Sequence, residues 1–100
     1  MNANSDFTFT AEIFLWEANS AWHFVALPHD IADEIEDSPT LRGGFGSVKV
    51  NVAIGSSKWS TSIFPDTKRK TFVLPLKKSI REKEALTVGD RPLVQLALVN

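Results

Sequence analysis

Basic and aromatic side chains occur together in the second half of this sequence, and they are the residues best suited to binding a ligand. Arg42 begins a glycine-rich segment, Lys58 precedes a tryptophan, and Lys77, Lys78 and Arg81 follow one another closely. On a short helix Lys77 and Arg81 stand four residues apart and project from one face. Oligonucleotide-binding barrels combine positive charge with stacking rings. These five residues therefore form a candidate face for an anion.

Two observations weigh against reading that face as a dedicated nucleic-acid site. Trp16, Trp22 and Trp59 fall on the apolar parities of predicted strands, so they are expected to lie in the core. The net charge is −1, whereas nucleic-acid-binding domains tend to be strongly basic. The expected function is therefore a small binding or accessory module without catalytic activity, and a nucleic-acid-binding or regulator-like barrel is the alternative.

The charge is divided unevenly along the chain. Up to Leu41 there are eight acidic residues and no Lys or Arg, and the remainder holds all eleven bases against four acids. Such halves either neutralise each other or leave a basic surface for a polyanion. A pseudo-twofold barrel tends to place its two helices apart, so the basic side chains at 77–81 are predicted to be exposed rather than paired with the acidic run at 30–37.

The sequence contains no catalytic, metal or cofactor motif. His23 and His29 lack further ligands placed to complete a zinc site. Ser62 lies mid-strand without the flanking glycines of a nucleophile elbow. The glycines at 44 and 46 precede a strand, where a dinucleotide site needs a helix. We expect no catalytic residue, no metal and no cofactor, with an enzyme of undetected chemistry as the second alternative.

Alternation of apolar and polar residues predicts a mainly β fold. Short strands predominate, and two short helices begin after Pro28 and at Ser79, whose hydroxyl is placed to cap the second helix. A small closed or partly split barrel is expected rather than a sandwich, because closure removes the exposed edges that so small a sheet would present. The six predicted strands lie at 7–17, 22–27, 48–54, 58–64, 70–76 and 93–99.

A weak internal repeat accompanies this pattern. Residues 24–27 followed by Ile31 match residues 73–76 followed by Ile80, at an offset of 49. The repeat predicts a pseudo-twofold barrel in which Ile31 and Ile80 are the buried anchors of the two helices. In the strand at 48–54, alternation places Val48, Val50, Val52 and Ile54 in the core and Lys49 and Asn51 in solvent.

Length and composition predict one domain in a reducing compartment. The chain has 100 residues, no Cys and no apolar run long enough to span a bilayer. Residues 1–6 are polar and are expected to form a disordered tail, with a single β-barrel domain at 7–100. We therefore expect a cytoplasmic, bacterial type of protein that is a monomer or homodimer without a membrane partner.

Five segments in order resemble a known family. They are Phe24-Val25-Ala26-Leu27-Pro28, Arg42-Gly43-Gly44-Phe45-Gly46-Ser47-Val48, Trp59-Ser60-Thr61-Ser62-Ile63-Phe64-Pro65, Leu74-Pro75-Leu76-Lys77-Lys78-Ser79-Ile80-Arg81 and Gly89-Asp90. Together they are similar to domain of unknown function 1905 over nearly the whole chain. The resemblance implies a small double-split β-barrel, distantly similar to the swapped-hairpin barrels of bacterial transcriptional regulators. It implies no catalytic or binding residue.

Overall fold

The computed structural model describes residues 6–16, 19–39 and 42–99, and these contain seven strands and two α-helices. Residues 1–5 of the predicted tail lie outside the described residues, and Asp6 already belongs to the first strand. Neither helix within the described ranges has the length and apolar character needed to cross a membrane. The strands are β1 (Asp6–Thr10), β2 (Phe14–Trp16), β3 (Asn19–Ala26), β4 (Val48–Ile54), β5 (Ser57–Asp66), β6 (Thr71–Pro75) and β7 (Leu93–Leu98); the helices are α1 (His29–Asp37) and α2 (Lys78–Lys83).

The seventh strand arises because the first predicted strand is interrupted. Its backbone leaves the sheet at residues 11–13, where the Ile13 N–H donates to the Asp90 carbonyl and the Gly89 N–H donates to the Ile13 carbonyl, both at 2.9 Å. The Gly-Asp turn thus takes the hydrogen bonds that a neighbouring strand would have made. The interruption breaks the alternation of apolar and polar positions, and Leu15 is 38% exposed.

All strands form one curled antiparallel sheet, a half-barrel, in the order β1-β7-β4-β5-β6-β3-β2. β5 is long enough to pair with β4 over its first seven residues and with β6 over its last three. The two edge strands, β1 and β2, follow each other in the chain. Where β3 pairs with β6, Val25 lies opposite Leu74. Where β4 pairs with β7, Val50 lies opposite Leu98.

The hairpin of β4 and β5 has the predicted register. Val48, Val50, Val52 and Ile54 are buried, whereas Lys49 and Asn51 are exposed, which confirms the prediction. The two-residue turn places Gly55 at φ +58°, as a type II′ turn requires at its first central position.

The carboxylate of Glu84 ties this turn to the end of α2. It accepts hydrogen bonds from the hydroxyls of Ser57 at 2.6 Å and Ser56 at 3.2 Å. A side chain at Gly55 would collide with it, because an added Cβ would stand 2.0 Å from Oε1. The Ser57 hydrogen bond is the main reason that the pKa of Glu84 lies below its ordinary value; burial opposes this, and the Ser56 bonds and Lys83 add to it.

Only one of the two predicted helix anchors is buried. Ile80 of α2 is buried, as predicted, but in α1 the anchors are Ala32 and Ile35, and Ile31 is only half-buried. Helix α1 begins at His29, directly after Pro28, which turns Ala32 and Ile35 inward as a pair three residues apart.

The predicted Ser79 cap of α2 is wrong. The residue that precedes the helix is Lys77, which has an extended backbone. Its carbonyl oxygen accepts hydrogen bonds from the N–H groups of Ile80 and Arg81, at 3.1 Å each. Ser79 therefore lies inside the first turn, where its hydroxyl cannot cap the helix.

Candidate functional site

The outer face of the sheet differs sharply between its two halves. Over β1, β7, β4 and β5 it is polar, with Lys49, Asn51, Lys58 and Gln95 exposed. Over β2, β3, β6 and the end of β5 it carries a groove of about 900 Å³, called here the aromatic groove. Its rings are Phe14, Trp16, Trp22, Phe24, Phe45 and Phe64.

Strand register explains why these rings lie outside the core. Val25 pairs with Leu74 on the inner face, so Phe24 and its partner Pro75 must face outward. Phe14 pairs with Phe24 and shares its face. Phe24 is nearly buried, yet it does not belong to the main core cluster. Strand β3 therefore carries apolar side chains on both of its faces.

Two indoles form the open wall of the aromatic groove. The Trp16 and Trp22 ring centroids stand 6.2 Å apart, and Phe24 lies 6.1 Å from Trp22 and edge-on to Trp16 at 6.4 Å. Trp16 is 46% exposed and Trp22 is 50% exposed. The prediction that both lie in the core is wrong, because both side chains fall on the outer face. Trp59 is half-buried and packs against the core.

A fixed cation forms the opposite wall. The Arg69 guanidinium carbon lies 4.0 Å from the ring centroid of Phe14, and its Nη1 donates to Asp66 at 2.9 Å. Asp66 also accepts from the backbone N–H groups of Lys68 and Arg69. Burial acts to raise the pKa of Asp66, but these hydrogen bonds and the Arg69 charge outweigh it and leave the pKa lowered. The carboxylate is thus neutralised by Arg69, and Lys68 remains exposed beside it.

Phe45 stands at the rim of the aromatic groove, on the turn at 44–46. Its side chain is 95% exposed and its backbone has φ +59°, a left-handed conformation that bulky residues seldom adopt. Such a conformation costs about 1 to 3 kcal/mol and persists only where its surroundings enforce it. Arg42 holds this turn, since its Nε donates to the Gly46 carbonyl at 2.9 Å and its Nη1 pairs with Glu36.

The five predicted anion-binding residues do not lie together. Lys77, Lys78 and Arg81 line a second groove of about 560 Å³, called here the basic groove. Lys58 lies on the polar outer face instead. Arg42 anchors the Phe45 turn, and its guanidinium carbon lies 5.4 Å from the centroid of the Phe72 ring. The structure therefore brings three of the five together.

The basic helix is not paired with the acidic helix. Among residues 6–16, 19–39 and 42–99, no ion pair joins α1 to Lys77, Lys78 or Arg81. The ion pair of α1 runs from Glu36 to Arg42, and Lys78 contacts Glu82 of its own helix at 3.9 Å. Within these ranges no group of three or more His, Asp or Glu side chains converges as metal ligands would.

Sequence reasoning missed the aromatic groove, although a signal for it was present. Residues 22–27 are apolar at almost every position, so the segment has no polar parity to face solvent. A strand of that composition needs cover on both faces. In this segment the side chains of the inner face pack in the core, whereas Trp22 on the outer face is half-exposed to solvent.

The curled antiparallel sheet, two short helices and an open outer aromatic groove define a small, mainly β domain with a preformed surface cleft. The chain belongs to the family described as Domain of unknown function (DUF1905), whose model matches residues 9–96. This match confirms the resemblance, and it includes every residue that lines the two grooves. No curated protein matches the chain.

Proposed function

We propose that this domain is a binding module without catalytic chemistry of its own, and that its ligand is single-stranded nucleic acid. The observation that carries the proposal is the pair of half-exposed indoles, Trp16 and Trp22, on the outer face of the sheet. Proteins that bind single strands use exposed rings on a rigid sheet as stacking platforms for bases.

Exposure of these rings is costly unless a ligand covers them. Contiguous exposed apolar surface on a small soluble domain marks an interaction site. Four of the six rings contact one another at centroid distances of 6.1 to 6.4 Å, so this part of the surface is held in place before a ligand arrives; they are Phe14, Trp16, Trp22 and Phe24. A rigid stacking surface loses little entropy on binding, which favours affinity.

Positive charge flanks the rings at both ends of β6. Lys68 and Lys70 precede this strand on either side of Arg69, whose charge is paired with Asp66, and Lys77 and Lys78 follow it. The seven-residue step from Lys70 to Lys77 corresponds to about 23 Å of extended chain. The one carboxylate among the lining residues, Asp66, is paired with Arg69. A phosphate backbone laid along β6 would meet cations at both ends and rings between them.

A single strand suits this surface better than a duplex does. Stacking on Trp16 or Trp22 requires an exposed base face, which a duplex conceals between neighbouring base pairs. Each base stacked on an aromatic side chain contributes about 1 to 3 kcal/mol. The polar outer face beyond β5 offers no comparable rings.

Fluorescence anisotropy with a labelled deoxythymidine octamer at low salt tests the proposal. Trp16→Ala and Trp22→Ala should each weaken binding by about 5- to 150-fold. The control is Leu93→Ala, which removes an exposed apolar side chain from β7, outside the aromatic groove, and should leave affinity unchanged. Equal affinity of both tryptophan variants and the wild type would overturn the proposal, as would an absence of binding by the wild type.

We also infer that the curled sheet has pseudo-twofold symmetry and belongs to the double-split type of β-barrel. The pairing of Val25 with Leu74 joins positions 49 apart, which is the offset of the internal repeat, and Val50 pairs with Leu98 at 48. A twofold axis through both pairs would make β3 equivalent to β6 and β4 equivalent to β7.

The absence of Cys supports a reducing cytoplasm as the setting.

A further inference from the structure

The basic groove adjoins the aromatic groove through a shared side chain. Trp22 lines both of them, with Phe24 and Arg69 on one side and His23 and Arg81 on the other. A chain that stacks on Trp22 therefore continues directly into the basic groove. The two clefts form one path along the outer surface.

The guanidinium of Arg81 is held in place inside the basic groove. Its Nε donates to the Leu76 carbonyl at 3.0 Å, and its Nη1 lies 3.4 Å from Nε2 of His23. A cation fixed in this way can meet a phosphate without the entropy cost of ordering a long side chain. The carbonyl and the imidazole leave the remaining N–H groups of the fork available to an anion.

Two lysines complete the positive surface. Lys77 and Lys78 are exposed, and the weak contact of Lys78 with Glu82 spans 3.9 Å between well-exposed groups. Such an exposed pair is weak and yields readily to a stronger anion. Trp59 closes the groove on its apolar side, with Ser60 and Thr61 next to it.

We propose that the basic groove is a phosphate subsite that binds the backbone of the same strand whose bases stack in the aromatic groove. The inference rests on the proposed function for the identity of the strand. In this arrangement the bases stack on the rings of the aromatic groove. Lys77, Lys78 and Arg81 bind the phosphate that follows the base stacked on Trp22.

Two ligands separate this inference from the proposed function. Inorganic tripolyphosphate carries the anionic chemistry without bases, and the deoxythymidine octamer carries both. Calorimetry should show tripolyphosphate binding to the wild type and to Trp16→Ala, but not to Lys77→Gln/Lys78→Gln. The control is Lys49→Gln/Lys58→Gln, which removes the same charge from the polar outer face.

The octamer is titrated at several salt concentrations. Each lost phosphate contact lowers the slope of log affinity against log salt by about 0.7 for a single strand. Lys77→Gln/Lys78→Gln and Arg81→Gln should show this reduction, and the control pair should keep the wild-type slope. Because Arg81 also supports the Leu76 backbone, the double lysine variant decides the result if Arg81→Gln fails to fold.

Each outcome points to one claim. Octamer binding that needs Trp16 but has the same slope in the double lysine variant overturns the phosphate subsite and leaves the proposed function standing. Failure of the octamer to bind, with tripolyphosphate bound through Lys77 and Lys78, overturns the proposed function and retains an anion site. Tripolyphosphate binding that is equal in all variants overturns the subsite.

Discussion

Trp16 and Trp22 stand on neighbouring antiparallel strands with their ring centroids 6.2 Å apart, and each keeps about half of its surface in solvent. Large rings on adjacent strands of a small sheet would normally turn inward, because burial of a large aromatic ring is strongly favourable. Here the inner face is already filled by residues such as Val25 and Leu74. The two indoles therefore make the outer face the surface on which we propose that a ligand binds.

Helix α1 should depend on Ile35 far more than on Ile31. Ile35 is fully buried, so Ile35→Ala should lower the free energy of unfolding by about 2 to 5 kcal/mol. Ile31 is half-buried, and Ile31→Ala should cost well under half of that amount. Urea denaturation of both variants measures the difference. A cost at Ile31 equal to or larger than that at Ile35 would contradict the packing described here.

Stability should depend on pH through Glu84. Its pKa is lowered in the folded state, so the Ser57 hydrogen bond stabilises the fold above about pH 4.5, and this contribution is lost as pH falls through the lower folded-state pKa. Ser57→Ala should therefore destabilise the protein at pH 7 more than at pH 3. The matched control is Ser60→Ala, whose hydroxyl donates to the amide oxygen of Asn51, a group that does not titrate. Thermal melts of both variants at the two pH values measure this. An identical pH dependence for the two would contradict the assignment.

The Phe45 turn should separate stability from binding. Phe45→Gly removes a ring that is 95% exposed and relieves a left-handed backbone that costs about 1 to 3 kcal/mol, while the greater freedom of glycine in the unfolded chain offsets about 0.5 to 1 kcal/mol of this; the variant should therefore be no less stable than the wild type. The same variant should bind the deoxythymidine octamer more weakly, because one ring of the aromatic groove is lost. Denaturation and anisotropy are measured on one preparation. Unchanged octamer affinity would mean that Phe45 takes no part in the site.

The sequence predicts those features that depend on one dominant local pattern. Alternation at 48–54 has polar residues on one parity and β-branched residues on the other, so both the strand and its inward face follow. The break at Ile13 could not be predicted, because it depends on hydrogen bonds to Gly89 and Asp90, which lie more than seventy residues away.

The candidate site was predicted only in part for a related reason. Lys77, Lys78 and Arg81 lie within five residues of one another, so their grouping follows from proximity along the chain, although Lys77 precedes the helix and does not belong to it. The aromatic groove is assembled from segments that are distant in the chain, and strand pairing alone decides which face each ring takes. Arg42 was grouped with the cations by its charge, but its hydrogen bond to the Gly46 carbonyl makes it a support for the Phe45 turn.

If bases stack on the indoles of the outer face, the NMR signals of the indole N–H groups should respond to the ligand. The sequence has three tryptophans, so three such signals are expected, each assignable from a single Trp→Phe variant. On titration with the deoxythymidine octamer, the Trp16 and Trp22 signals should shift strongly and saturate together at one binding constant. Saturable binding of the octamer with both of these signals unmoved would contradict the account.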